Sequence, residues 1–204
     1  MIRPRFPRAT ELAHAWVGDR LRGRVGMRAV DATAGNGHDT EFLARGVGPE
    51  GRVFAYDVQA EALETTRRRL EAAGLLERVG LRLASHEELG EAGAIDIAMF
   101  NLGYCPGGDK HLVTRTDSTL RALEAATAGL NPGGLVTVVC YPGHPGGGEE
   151  ADAVVAWTRR LDARRFRAMH CSMLLAQGEA APFLVGIERF GPTLKRAARS
   201  AAVR

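Results

Sequence analysis

The chain has 204 residues, of which 45% are hydrophobic and 25% are charged. These proportions are those of an ordinary globular protein that is long enough for one well-buried domain and short for two. No apolar run approaches the roughly 20 residues of a membrane-spanning helix, so a membrane-embedded protein is excluded. We expect a single domain over residues 1–204, with a basic tail from about residue 192.

Positive charge is mild overall and unevenly placed. The formal net charge is +3, and basic residues concentrate in the segments 3–28, 67–69, 159–167 and 194–204. Such clusters permit contacts with a phosphate backbone, but a solvated surface in an arginine-rich chain looks the same. Charge alone therefore favours an RNA partner only weakly.

The N-terminus and the cysteines indicate the compartment. The segment MIRPRFPRAT is charged and has no apolar stretch after it, so we expect no secretory signal and a cytoplasmic location. Cys105, Cys140 and Cys171 are odd in number and lack CxxC spacing, which argues against a disulfide framework and against a zinc site. We expect reduced thiols, two of them in strands, and no metal.

Apolar periodicity predicts alternating helices and strands. Residues 9–21 have helical spacing, with Thr10 as a plausible N-cap and Glu11 in the first turn. A short strand begins at Met27 and ends in a glycine-rich turn. The later elements are helix 40–47, strand 52–58, helix 60–75 closed by Gly74, strand 79–84, a helical patch at 86–90, strand 95–100, helix 115–129, a turn at 131–134, strand 135–142, helix 149–161, and strands 166–172 and 182–190.

This order predicts an α/β fold. Alternating strands and helices require right-handed crossovers and a parallel sheet that is covered on both faces. The last two strands are joined by a segment too short for a crossover, so we expect the last strand to pair antiparallel with its predecessor. A Rossmann-like, mostly parallel seven-stranded sheet with an antiparallel last strand is the arrangement of class I methyltransferases.

The stretch VDATAGNGHDT, residues 30–40, lies where such a sheet binds ligands. In an open parallel sheet the ligand lies beyond the carboxyl ends of the strands, beside the first strand. Gly35 and Gly37 would allow the backbone to approach a ligand closely, and Asp57 ends the next strand, where a carboxylate can accept hydrogen bonds from both ribose hydroxyls. Together these features indicate a nucleoside cofactor.

The details of the turn favour S-adenosylmethionine over a dinucleotide. The third glycine of G-x-G-x-x-G is replaced by Thr40, and Asp39 lies at the helix N-terminus that would otherwise bind pyrophosphate. Asp31 and Asn36 suit an amino-acid end and a sulfonium, and Ser85 and His86 are candidate adenine contacts. The candidate cofactor-binding residues are Asp31, Thr33, Gly35, Asn36, Gly37, Asp39, Thr40, Asp57, Gln59, Ser85, His86 and Asn101.

The stretch NLGYCPGGDK, residues 101–110, follows the fourth strand, which ends beside the first in this fold. Many amine methyltransferases place Asn or Asp here, followed by two small or proline residues and an aromatic. The amide oxygen accepts an N–H bond and aims the nitrogen lone pair at the methyl carbon, while the aromatic holds a planar base. Asn101 and Tyr104 are therefore the candidate catalytic residues, and an amine is the implied acceptor.

The sequence resembles a family of small bacterial proteins once labelled rRNA methylases, whose characterised members methylate the 5-aminomethyl group of a modified wobble uridine in tRNA. The resemblance covers nearly the whole chain and lies in DATAGNGHDT (31–40), NLGYCPGGDK (101–110), TRTDST (114–119) and YPGHPGGGEE (141–150). It implies S-adenosylmethionine as donor and a tRNA anticodon substrate. The chain departs from the family pattern chiefly at Cys105, Pro142 and Pro145, which leaves the exact nucleoside open.

The resemblance also implies candidates for substrate contacts, namely Asp109, Lys110, Thr114 and His144. His144 as a general base and His144 as a backbone or phosphate contact remain alternatives. Two other functions also stay open: methylation of another RNA, such as rRNA, or of a small amine, and RNA binding without catalysis. A homodimer is compatible with the sequence, which leaves the oligomeric state undecided.

Overall fold

The computed structural model describes residues 6–103, 114–175 and 181–190. Five α-helices occur in these ranges: α1 (Ala9–Leu21), α2 (His38–Gly46), α3 (Ala60–Ala72), α4 (Thr116–Gly129) and α5 (Gly147–Thr158). Seven strands alternate with them: β1 (Arg28–Asp31), β2 (Arg52–Asp57), β3 (Val79–Leu83), β4 (Ile95–Asn101), β5 (Leu130–Cys140), β6 (Phe166–Cys171) and β7 (Phe183–Arg189). Two short 3₁₀ helices, Leu76–Arg78 and His86–Ala92, flank β3.

The seven strands form one sheet in the order β3-β2-β1-β4-β5-β7-β6. Strands β1 to β5 pair in parallel, whereas β7 runs antiparallel between β5 and β6. This confirms the predicted fold class, including the antiparallel last strand. The order of strands reverses at β1, which has β2 on one side and β4 on the other, so the carboxyl ends of these three strands meet at the place where open sheets bind ligands.

The core lies on both faces of the sheet. Alternate residues of β4 point to opposite faces, with Phe100 in the cluster that contains α4 and α5, and Met99 in the cluster that contains α1 and α2. Both side chains are almost completely buried. The same alternation directs the side chain of Asn101, two residues after Met99, to the face that α1 and α2 cover.

Two local predictions were wrong. Helix α1 begins at Ala9 with Arg8, not Thr10, as its N-cap, because the carboxylate of Glu11 accepts the main-chain N–H of Arg8 at 2.8 Å. The predicted turn at 131–134 lies inside β5 as a register shift opposite Ile95 and Ile97. The side-chain amide of Asn131 donates to Asp96 at 2.9 Å and thereby keeps this irregular segment attached to β4.

The prediction that two of the cysteines lie in strands is confirmed. Cys140 lies in β5 and Cys171 in β6, and both are free thiols. Burial raises the pKa of the Cys140 thiol to about 12, so this group stays protonated. Cys105 lies outside the described residues.

Candidate active site

A cleft of about 1110 Å³ opens at the carboxyl ends of β1, β2 and β4. Most of the predicted site residues line it: Thr33, Gly35, Asn36, Asp39, Asp57, Gln59, Ser85, His86, Asn101, Thr114 and His144. Asp31, Gly37 and Thr40 do not line the cleft and lie behind its wall. Tyr104, Asp109 and Lys110 fall outside the described residues.

The glycine turn after β1 is shaped by its contact with α3. Gly37 is the N-cap of α2 with φ of +78°, and a Cβ at this position would lie 2.9 Å from the Cα of Thr66. The Thr66 hydroxyl donates to the carbonyl oxygen of Gly35 at 2.9 Å, and the Arg69 guanidinium donates to the carbonyl oxygen of Asn36 at 2.8 Å. Gly37 is therefore required for packing against a helix, while Gly35 and Asn36 form the surface of the cleft.

Asp57, at the end of β2, is tied to this turn. One carboxylate oxygen accepts the main-chain N–H of Gly35 at 2.8 Å, and the other accepts that of Gln59 at 2.9 Å. A carboxylate oxygen has two lone pairs, so each can accept one further hydrogen bond. The carboxylate is thus fixed in orientation and could still accept bonds from two neighbouring hydroxyls, as a ribose requires.

Asp31 is completely buried behind the turn. Its carboxylate accepts the hydroxyl of Thr40 at 2.5 Å and the main-chain N–H of Thr33 at 3.1 Å. Burial, then the nearby Asp39 and to a lesser extent Asp57, raise its pKa to about 7. Asp31 therefore holds the first turn of α2 in place through its hydrogen bond with the hydroxyl of Thr40.

This pKa predicts a pH-dependent stability. The folded protein keeps the Asp31 proton up to about pH 7, whereas an unfolded chain releases it near pH 4. The folded state therefore binds more protons between these values, and the free energy of unfolding falls as pH rises through this window. We expect Asp31→Asn, which is isosteric and neutral, to be more stable relative to wild type at pH 8 than at pH 5.

Urea unfolding of the ligand-free protein at the two pH values measures this difference. The exposed Asp19 supplies the matched control, because Asp19→Asn removes a carboxylate from the surface. An Asp31→Asn variant that follows the wild-type pH dependence would show that Asp31 is ionised in the folded protein throughout this range.

Asn101 ends β4 and is linked to β1 through its backbone. Its main-chain N–H donates to the hydroxyl of Thr33 at 2.8 Å. The side-chain NH₂ donates to one carboxylate oxygen of Asp39, and the imidazole Nε2 of His14 lies 2.5 Å from the other. The amide oxygen Oδ1 of Asn101 is buried, and no residue of the described ranges donates to it. A buried acceptor without a donor is costly, so this oxygen suits a ligand that brings an N–H or O–H group.

Gly103 and Thr114, which both line the cleft, are hydrogen-bonded to each other. Gly103 and Thr114 exchange two hydrogen bonds, from Thr114 N–H to Gly103 O at 3.0 Å and from Gly103 N–H to Thr114 Oγ1 at 2.9 Å. The Thr114 hydroxyl donates to the buried carboxylate of Glu150, which also accepts the hydroxyl of Thr119, both at 2.6 Å. Thr114 is therefore held by Gly103 and Glu150, and a direct substrate contact by Thr114 stays a prediction.

Two histidines flank the cleft on the side of β3 and β5. His86 is buried, its pKa is lowered chiefly by that burial, and its Nε2 has no hydrogen-bond partner among the described residues. A neutral imidazole here could bind a polar edge of an adenine. His144 lies beside Gly103, with its Nδ1 3.0 Å from the carbonyl oxygen of Pro145. Its role as base or as phosphate contact stays open.

Sequence reasoning missed three kinds of residue at this site. His14 comes from α1 and lies in none of the motifs. Glu150, in the first turn of α5, ends the motif YPGHPGGGEE but was given no role. The arginines Arg8, Arg115 and Arg121 also line the cleft. Within the described residues no group of three or more His, Cys, Asp and Glu side chains could hold a metal ion. In the same ranges no helix is both long and apolar enough to cross a bilayer.

The fold and the cleft define the class of protein. A sheet of this order, a glycine turn after β1 and a fixed carboxylate after β2 are the parts of a class I methyltransferase. A solved structure described as a methyltransferase from Streptococcus mutans, in complex with S-adenosylhomocysteine (SAH), is 34% identical and superposes with a TM-score of 0.81, covering 91% of this chain and 100% of that one. The protein is an S-adenosylmethionine-dependent methyltransferase, so RNA binding without catalysis is not retained as its function.

The chain belongs to the family described as "Putative rRNA methylase", whose model matches residues 53–188. A Clostridium thermocellum structure that carries this family label is 34% identical, with a TM-score of 0.86, and covers 92% of this chain and 100% of that one. A curated relative from Arabidopsis thaliana, named "tRNA (mnm(5)s(2)U34)-methyltransferase, chloroplastic", is 38% identical in an alignment 190 positions long that covers 87% of this chain and 68% of that protein. The resemblance inferred from the sequence motifs is thereby confirmed.

Proposed function

We propose that this methyltransferase acts on the 5-aminomethyl group of a modified wobble uridine in tRNA, 5-aminomethyl-2-thiouridine, and produces 5-methylaminomethyl-2-thiouridine. The 38% identical Arabidopsis relative carries a name that describes such a tRNA nucleoside. The observation that carries the proposal is the side chain of Asn101, which lines the cleft and keeps a buried amide oxygen without a donor among the described residues.

An amide oxygen suits an amine better than a hydroxyl as the methyl acceptor. Asn101 can accept an N–H bond and orient the nitrogen, but an amide is too weak a base to remove a proton from an alcohol. A neutral amine already has the lone pair that attack requires. S-adenosylmethionine, when bound, would supply a methyl group on a sulfonium, a group that a neutral amine can accept without prior removal of a proton by the protein.

The amine must lose its proton before it can attack. A free alkyl amine has a pKa near that of lysine, roughly 10.4, so it is mostly protonated at neutral pH. Burial in the cleft next to a cationic sulfonium lowers that pKa and favours the neutral form. Three side chains in the wall of the cleft are held by hydrogen bonds, so the nitrogen can be oriented with little rearrangement. The Thr33 hydroxyl accepts the main-chain N–H of Asn101, the Asp57 carboxylate accepts that of Gly35, and the Asn101 side chain donates to Asp39.

The rim of the cleft is compatible with a nucleic acid. Arg8, Arg115 and Arg121 line it, and arginines bind phosphate oxygens through their planar donor groups. The run of arginines at 67–69 gives no comparable support, because it does not line the cleft. Ion pairs occur in both sets: Arg67 and Arg68 pair with Glu64 and Arg69 with Glu41, and in the cleft Arg8 pairs with Glu11 and Arg121 with Glu87. Tyr104 and Lys110 stay candidates for base and phosphate contacts.

Mass spectrometry of nucleosides from a strain that lacks the protein tests this substrate. We expect 5-aminomethyl-2-thiouridine to accumulate in tRNA and its N-methylated form to disappear, with both restored by the wild-type gene and not by Asn101→Ala. Purified protein should transfer labelled methyl groups to tRNA from that strain. Label that enters rRNA or a small-amine fraction instead of tRNA would contradict the proposal and favour one of the two alternative substrates.

A further inference from the structure

The carboxylate of Asp39 joins two side chains that come from opposite ends of the site. One oxygen accepts the side-chain NH₂ of Asn101, and the other lies 2.5 Å from Nε2 of His14. Asp39 is in the first turn of α2 and is only 9% exposed. His14 comes from α1, which packs on the same face of the sheet as α2. The three side chains therefore form one hydrogen-bonded chain, His14–Asp39–Asn101.

The chemistry of a carboxylate sets the direction of both bonds. An ionised carboxylate only accepts, so both of its partners must donate. His14 then carries its ring proton on Nε2, and Asn101 turns its NH₂ toward Asp39. Rotation of the Asn101 amide by 180° would place Oδ1 against the carboxylate, where two acceptors repel each other. Asp39 therefore leaves Oδ1 as the atom of Asn101 that remains for a ligand.

The imidazole of His14 is held from a second direction. Its ring stacks on that of Phe42, with 4.3 Å between the centroids and 5° between the planes. Phe42 follows Asp39 by three residues, so both lie on the same side of α2. The stack fixes the plane of the ring and the hydrogen bond fixes its edge. His14 in turn occupies one Asp39 oxygen and keeps the other directed at Asn101.

We propose that His14 and Asp39 are positioning residues that hold the Asn101 amide with Oδ1 toward the acceptor amine, and so select a substrate with an N–H donor. This inference rests on the proposed function only for the identity of the acceptor. It adds a positioning role to Asp39, whose two carboxylate oxygens each contact a protein side chain. The cofactor contact predicted for Asp39 from the sequence stays a prediction. The hydrogen-bonded chain His14–Asp39–Asn101 sets the orientation of the amine and does not transfer the proton of the amine.

Kinetics of three variants test the proposal. His14→Phe keeps a ring to stack on Phe42 and loses the bond to Asp39, and we expect its turnover on tRNA to fall about tenfold. Asp39→Asn allows the new amide to donate to Asn101 Oδ1, so the Asn101 amide can reverse, and we expect a loss of turnover of about 100-fold. His14→Gln, which can donate to Asp39, should recover part of the loss. The Michaelis constant for tRNA and the affinity for SAH should change little in all three.

Non-additivity separates positioning from a general structural role. In an Asn101→Ala background there is no amide to position, so neither His14→Phe nor Asp39→Asn should lower turnover further. The matched control is His170→Phe, since His170 also packs against a phenylalanine, Phe183, but lies on β6 away from the cleft. That control should leave turnover unchanged.

Nitrogen NMR of labelled protein without substrate tests the arrangement apart from the reaction. We expect a protonated Nε2 on His14 and a downfield side-chain amide proton on Asn101, and loss of both features in Asp39→Ala. Failure of the wild-type protein to methylate tRNA would reject the proposed function. The spectra would still show whether the hydrogen bonds His14–Asp39–Asn101 are formed. A proton on Nδ1 of His14, or an equal loss of SAH affinity and turnover in Asp39→Asn, would overturn the positioning role.

Discussion

Replacement of Asn101 with alanine should lower the turnover of methyl transfer to tRNA by a factor of at least ~100 and leave the affinity for SAH nearly unchanged. The main-chain N–H of Asn101, which bonds to Thr33, is kept in the variant, so the link between β4 and β1 survives. What is lost is the amide oxygen that orients the amine. Single-turnover kinetics on tRNA that carries a 5-aminomethyl uridine measures the chemical step directly.

Asn131→Ala is the matched control for this substitution. Asn131 also donates its side-chain amide to an aspartate, Asp96, but at the opposite end of the strands, where β5 begins. It should lose some stability and no turnover per folded molecule. If Asn101→Ala transferred methyl groups at the wild-type rate, Asn101 would merely close β4, and the orientation of the amine would depend on another residue.

The position of the site at the carboxyl ends of the strands was predictable, because parallel strands bring these ends together. Residues that follow β1, β2 and β4 along the chain, such as Gly35, Asp57 and Asn101, all line one cleft. Their position at the cleft depends on which strands they follow and on the order of those strands in the sheet, not on contacts of their side chains. The alternation of helices and strands predicted a parallel sheet, and the short link before β7 predicted an antiparallel last strand. The expectation of the strand order came from the similarity of this arrangement to class I methyltransferases.

Which residues of the glycine turn reach the cleft could not be predicted from the motif. Asp31, Gly37 and Thr40 belong to the same stretch as Gly35 and Asn36, yet they lie behind the wall of the cleft. The turn packs against Thr66 and Arg69 of α3, and these distant contacts decide which side of it faces solvent. A motif lists residue types in order, whereas their orientation depends on the helix that packs on them.

The contributions of α1 and α5 were not predictable for a similar reason. His14 meets Asp39 across 25 positions of the chain, and Glu150 meets Thr119 across 31. Neither pair has a local spacing that a helix or a turn would impose. The role of the arginines at 67–69 could not be decided from the sequence either. Arg67 and Arg68 pair with Glu64 one turn away on α3, whereas Arg69 pairs with Glu41 on α2.

Asp57→Ala should weaken the binding of SAH by about 1.5 to 3 kcal/mol, the range for hydrogen bonds that involve a charged group. This corresponds to roughly a 10- to 100-fold increase in the dissociation constant. Both oxygens of Asp57 already accept one main-chain N–H each, from Gly35 and Gln59, so the carboxylate is oriented before a ligand arrives. The Asp57 side chain therefore loses little further freedom when the two expected bonds to the ribose hydroxyls form. Isothermal titration calorimetry with SAH measures the change.

The same bonds mean that alanine also releases the turn around Gly35, so a loss of affinity needs a control for local structure. Asp162 supplies it, because its carboxylate also accepts the main-chain N–H two residues ahead, that of Arg164, far from the cleft. Asp162→Ala should bind SAH like wild type. In Asp57→Asn, one amide oxygen remains to accept a hydroxyl and the charge is gone, so an intermediate affinity is expected. Unchanged SAH affinity in Asp57→Ala would remove Asp57 from the ribose and confine its role to the glycine turn.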